Sequence, residues 1–276
     1  MVPARSCANS TPIEPLSAAK TPCNLAGLSV LVTRPEHQSE GLCDLIQAAH
    51  GRAVRFPAIE ILGPADKLAA RAQLRGASRA DVLIFVSANA VQYAFPLLPE
   101  QLPLDIGIAA VGTATARALS NSGLEPNLAP ERMDSEGLLA LPALQAVGGK
   151  SIFILRGNGG RELLPDTLRE RGAEVHTVEV YRRVLPKRQA AAANLVRGWE
   201  QLVHIVVATS NAIVDNLYTL LGSEGAQRLQ TTPIIVVSQR MADYVIERGC
   251  EHVHVANSAT DIDVLAALCE VEESLR

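Results

Sequence analysis

The sequence predicts an α/β fold of two similar domains, each a parallel sheet flanked by helices. Three observations carry that prediction: short aliphatic runs alternate with amphipathic stretches, the chain repeats itself at near-constant spacing, and aromatic residues are scarce. The 276 residues are 48% hydrophobic but hold only 1 Trp, 4 Tyr and 4 Phe, so a core must come from Val, Leu, Ile and Ala. So few rings cannot build a stacking platform for single-stranded nucleic acid, and a net charge of −4 offers no phosphate-tracking stripe. No nucleic-acid partner is expected. No apolar run approaches the ~20 residues of a membrane span, and Met1 to Gly27 lacks the apolar core of a secretory signal. A soluble, cytoplasmic chain is expected, and the Asn9-Ser10-Thr11 sequon should go unused. Cys7, Cys23, Cys43, Cys250 and Cys269 are odd in number and form no CxxC pair, so they read as free thiols. His252 and His254 read as strand-edge residues, and no metal is assigned.

Residues 1–26 mix Ser, Thr, Ala and Pro without hydrophobic period and read as a disordered leader. A strand follows at Leu28 to Thr33, then a helix over about Ser39 to Ala49, a stop at Gly51, and a strand at Ala53 to Ile61. Further strands are expected at Val82 to Val86, Ile106 to Val111, Ser151 to Leu155, Val175 to Tyr181, Val203 to Ala208, Ile234 to Val237 and His252 to Val255. The repeat sets these in pairs. Arg34 answers Arg156 at an offset of 122, and Ser87-Ala88-Asn89 answers Thr209-Ser210-Asn211 at the same offset. Val111-Gly112-Thr113 answers Val237-Ser238-Gln239, and Gly123 answers Gly249, at 126. Two similar domains facing one cleft are inferred.

In each half, small polar residues fall where a strand ends and a helix begins. The first N–H groups of a helix lack partners and carry the positive end of its dipole, so such turns suit anions. The candidate binding residues are Ser87 and Asn89, Thr113 and Thr115, Thr209, Ser210 and Asn211, and Ser238 and Arg240. Arg34, Arg156 and Arg161 add positive charge near the same edge, and Gly157 opens the adjoining turn. A ligand with several carboxylates or phosphates fits this pattern. The alternative is that these residues are ordinary N-caps. Gly157-Asn158-Gly159-Gly160 has neither the dinucleotide spacing nor a Gly-Lys-Ser/Thr ending, so it reads as a tight turn. There is no GxSxG elbow, so an enzyme built on this chain would work by orienting a reactive substrate. Tyr181, beside Arg182 and Arg183, is a candidate proton donor or else a partly buried aromatic with a satisfied hydroxyl.

VLVTRP, FPAIEI, FVSANAV, AVGTATARAL, LRGNGGRELLPDTLRERGAEV, VEVYRR and VATSNAI follow one another in an order that resembles the uroporphyrinogen-III synthase family, over about Leu28 to Leu268. The resemblance implies two α/β domains joined by a two-stranded connector, one combining 27–58 with 184–276 and the other holding 64–180. It implies cyclisation of hydroxymethylbilane, a linear tetrapyrrole polycarboxylate, with loss of water and inversion of the last ring. No cofactor is implied, and a monomer is expected. Tyr181 in VEVYRR matches the family tyrosine held to assist loss of the hydroxyl, and Thr115 in GTATA matches a cleft threonine. Ser87, Asn89, Ser210 and Asn211 match polar turns of the cleft. VVSQRMA departs from the threonine-rich pattern of some relatives, which weakens the match at Ser238 and Arg240. A noncatalytic two-domain regulator that binds an anionic small molecule is the alternative. A nucleotide-sugar transferase would need a phosphate fingerprint that the chain lacks.

Overall fold

The computed structural model describes residues 23–132 and 134–275. In chain order it contains β1 (Ser29–Val32), α1 (Glu40–Ala48), β2 (Arg52–Arg55), β3 (Glu60–Leu62), α2 (Lys67–Leu74), β4 (Val82–Phe85), α3 (Ala88–Ala94), β5 (Gly107–Ala110) and α4 (Thr113–Asn121). Then come α5 (Ser135–Ala140), α6 (Pro142–Gln145), β6 (Ser151–Gly157), α7 (Leu163–Glu170) and β7 (Glu174–Val184). The chain closes with α8 (Gln189–Arg197), α9 (Trp199–Leu202), β8 (Ile205–Val207), α10 (Asn211–Thr231), β9 (Ile234–Val236), α11 (Gln239–Glu247), β10 (Val253–Val255) and α12 (Asp261–Leu275). No helix among the described residues is long and apolar enough to cross a membrane.

Two five-stranded sheets result, in the orders β10-β9-β8-β1-β2 and β3-β7-β6-β4-β5. Every pairing is parallel except β3 with β7. The strands read as unbroken aliphatic runs because both faces of each sheet are covered. In the first lobe Val30 and Val32 pack with Leu42, Ile46, Val264 and Leu268, under α1 and α12. Leu31, pointing the other way, joins a central cluster with Phe56, Phe85, Leu155 and Trp199 that draws on both sheets. In the second lobe Val82, Ile84, Ile152 and Ile154 pack against Leu138, Leu144, Leu164 and Leu168 on the outer face.

The repeat is visible as a shared strand order. The series β9-β8-β1-β2 of the first sheet corresponds to β5-β4-β6-β7 of the second. Next to β9 lies β10, whereas next to β5 there is one bridge, between Ala109 and Leu128.

Three expectations need correction. The strand expected at Ala53 to Ile61 is two strands in different sheets, broken over Phe56-Pro57-Ala58-Ile59, where Pro57 has no N–H to give a ladder. The strand expected to end at Tyr181 runs on to Val184, and its last three residues pair antiparallel with β3 to form the two-stranded connector. Cys23 and Cys269 are not free thiols: their Cα atoms lie 5.7 Å apart across a disulfide that spans 246 residues. Cys43 and Cys250 are free and buried. Cys7, the sequon and most of the expected leader lie outside the described residues. Its last residues belong to the fold, since Leu25 is fully buried and its N–H donates to Ala49 O.

Candidate functional site

The site is built at the carboxyl ends of the second lobe's strands, where β6 and β7 lose register. Arg156 pairs with Glu179 but Gly157 pairs with Tyr181, so β7 carries one extra residue at this point. Such a bulge re-aims a side chain. Here it lays the Tyr181 ring against Gly157, where a Cβ would come within 2.5 Å of the ring's Cζ. Only glycine fits beneath this ring. Tyr93 stacks on it at a centroid distance of 6.2 Å and is itself held by donating its hydroxyl to Ile61 O.

The Tyr181 hydroxyl lies 3.1 Å from Ser87 Oγ and accepts a hydrogen bond of 2.7 Å from the Arg183 guanidinium. Ser87 caps α3 by accepting the N–H of Ala90. Two residues further, Asn89 meets the first lobe: its Oδ1 lies 3.0 Å from His37 Nε2 and accepts from Gln38 Nε2 at 3.2 Å. Beside this junction a cavity of about 570 Å³ is lined by residues of both lobes, among them His37, Gln38, Asn89, Gln92 and Ala118. The β1–α1 turn of one lobe thus fronts the β4–α3 turn of the other.

The remaining sequence candidates fall into three groups. Ser210 and Ser238 are caps in the ordinary sense, their hydroxyls accepting the N–H groups of Ile213 and Met241. They stand with Thr209, Asn211 and Arg240 at the ends of β8 and β9, along the same sheet edge as the β1 turn. Asn211 Oδ1 is buried without a hydrogen-bond partner, while Arg240 is exposed. The start of α4 differs from these, because Gly112 supplies no side-chain cap; Thr113 is exposed and Thr115 buried. Arg34 and Arg156 form the third group and depart from expectation: both are buried and spent on internal partners. Arg34 binds Asp261 and Ala259 O at the head of α12, and Arg156 binds Glu162 and Gly159 O in the turn after β6. They fasten loops and are not free charges for a ligand. Arg161 is exposed and lies 4.0 Å from Glu136.

His37 and Gln38 are not among the sequence candidates, and Asn158 is there only as part of a tight turn. Asn158 donates its backbone N–H to Tyr181 O, and its side chain accepts from Arg183 N at 2.7 Å, so the glycine-rich turn grips the end of β7. A hydrogen-bonding residue set among three glycines was the only signal of this.

The chain matches the family model described as Uroporphyrinogen-III synthase HemD over residues 40–266. It belongs to the uroporphyrinogen-III synthase family. The uroporphyrinogen-III synthase of Escherichia coli K12 is 36% identical over 247 residues, which cover 87% of this chain and all of that protein. The enzyme of Salmonella typhimurium LT2 is 34% identical over 246 residues, with the same coverage. Among solved structures, a mutant uroporphyrinogen III synthase from the extremely thermophilic bacterium Thermus thermophilus superposes with a TM-score of 0.61 at 19% identity, covering 91% of this chain and all of that one, a likeness of fold.

Proposed function

We propose that Tyr181 gives the proton in the reaction of this family, and that the polar turns of the two lobes hold the substrate's carboxylates. The reaction is the cyclisation of hydroxymethylbilane in tetrapyrrole biosynthesis. The hydroxymethyl C–O bond breaks and its oxygen leaves as water with the phenol's proton. The substituted α-carbon of the last ring attacks the azafulvenium cation that remains, its bond to the neighbouring methylene bridge breaks and re-forms at the ring's free α-carbon, and the proton lost there returns to the phenolate. The electrophile can also close without inversion, so the protein's task is to hold the folded geometry. The observation that carries this reading is the Tyr181 hydroxyl, fixed between Ser87 and Arg183 at the end of β7.

Ser87, Asn89, Thr113 and Thr115 are assigned to the substrate from the second lobe, and Thr209, Ser210, Asn211, Ser238 and Arg240 from the first. Gly157 acts by making room for the tyrosine. The lobes are taken as 27–58 with 184–276 and as 64–180, in a monomeric, cytoplasmic enzyme that needs no cofactor. Supplying hydroxymethylbilane and separating the product isomers tests the reading, which fails if the inverted isomer is no more abundant than without protein. Tyr181→Phe should lower kcat by about a hundredfold or more while the isomer that does form stays inverted.

A further inference from the structure

A group that passes a proton to a substrate must touch it, yet Tyr181 is 0% exposed. Two groups cover its hydroxyl, and they differ in how firmly they are held. Ser87 is fixed by its own cap bond from Ala90 N. Arg183 is an exposed residue with no carboxylate partner among the described residues. Its guanidinium is held by one hydrogen bond to the phenol oxygen and by the ring beneath it, 5.2 Å from the centroid. Its backbone, by contrast, is gripped by Asn158, so the side chain alone is free to swing.

We infer that Arg183 exchanges partners when substrate binds, leaving the Tyr181 hydroxyl for a carboxylate of the tetrapyrrole and so uncovering the phenol. The exchange rests on the reading of Tyr181 as proton donor. Its direction follows from charge and geometry: the bond to the phenol has one ionised partner and one acceptor oxygen, whereas a carboxylate offers the same guanidinium an opposite charge and two oxygens for paired bonds. A ligand with acids on every ring can supply that carboxylate. One without an acid at this place leaves the phenol covered, so Arg183 ties recognition of the substrate's charge to exposure of the proton donor. A ligand shifts such an equilibrium only by its differential affinity, which here is the bond to Arg183.

The test compares the full-length chain with Arg183→Met, Arg183→Lys and Tyr181→Phe, all checked for an unchanged circular dichroism spectrum. Arg183→Met should raise KM for hydroxymethylbilane about tenfold or more, the loss of one charge-assisted contact, a larger change than any in kcat. Without substrate, tetranitromethane should nitrate Tyr181 of Arg183→Met several-fold faster than in the parent, as read by peptide mass mapping. Arg183→Lys keeps the charge and should recover much of the KM. An unchanged KM or an unchanged nitration rate overturns the inference. A fall in kcat alone does so too, because it makes Arg183 a fixed support of the phenol. If Tyr181→Phe turns over at the parental rate, the tyrosine reading fails, a result distinct from any obtained with Arg183.

Discussion

At the end of β2 the first lobe stops at Arg55 and turns through Pro57, whereas at the matching place in the second lobe β7 runs on through a bulge to Val184. The two lobes otherwise share a strand order, and each places a serine cap at its β4–α3 or β8–α10 turn. What the repeat keeps is scaffold: caps, aliphatic strands, and a buried arginine that fastens a loop in each half. What it does not keep is the setting of the proposed proton donor. The tyrosine, the glycine beneath it and the asparagine that grips its strand belong to the second lobe alone. The first lobe contributes the His37 and Gln38 contacts and its row of turns.

The largest expected effect concerns the first lobe only. Reduction of the Cys23–Cys269 disulfide should cost about 2–5 kcal/mol, and hydrogen exchange should quicken in β1, α1 and α12 while β4 and β6 keep their protection. Equal loss in both lobes would mean that they do not melt as separate units. Next comes the feature the first lobe lacks: Gly157→Ala should push Tyr181 aside and lower kcat about a hundredfold, read by the isomer assay. A smaller effect separates binding from turnover. Ser238→Ala and Ser87→Ala should each lower stability by about 1 kcal/mol in urea melts, but Ser238→Ala should raise KM alone, whereas Ser87→Ala should also lower kcat, because it removes the neighbour of the Tyr181 hydroxyl.

The smallest effect is a pH dependence present on one side. Burial, and then the neighbouring His252, hold the His254 imidazole below its ordinary value against the opposing pull of Glu270; the answering residue in the second lobe is Leu128, which does not titrate. As pH falls below about 6.5 the unfolded chain takes up this proton before the folded one, so stability declines on acidification. His254→Leu should flatten that decline in melting temperatures measured from pH 7.5 to 5.5.

Much of this architecture was legible because periodicity and repetition are local signals. The Ser87, Ser210 and Ser238 turns could be placed at helix starts from their neighbours alone. The sequence also held the warning at Pro57, which rules out a continuous central strand from Ala53 to Ile61. Partners far apart could not be read. Nothing near Arg34 announces Asp261, and nothing near Cys23 announces Cys269, since those contacts exist only once the chain has crossed between lobes. The burial of Tyr181 was equally hidden: it depends on a one-residue slip between β6 and β7 that no spacing within either strand encodes.

The crossing also sets an order of events on the ribosome. β1 needs β8 beside it, and Ser29 N–H donates to His204 Nδ1, a residue 175 positions later. At roughly 5–20 residues per second that partner emerges on the order of ten to thirty seconds after β1. Meanwhile β4, β5, β6 and β7 have left the exit tunnel and can close on one another. The nascent chain therefore completes its second lobe first, and the strand made earliest, though β2 joins it early, waits longest for its second neighbour.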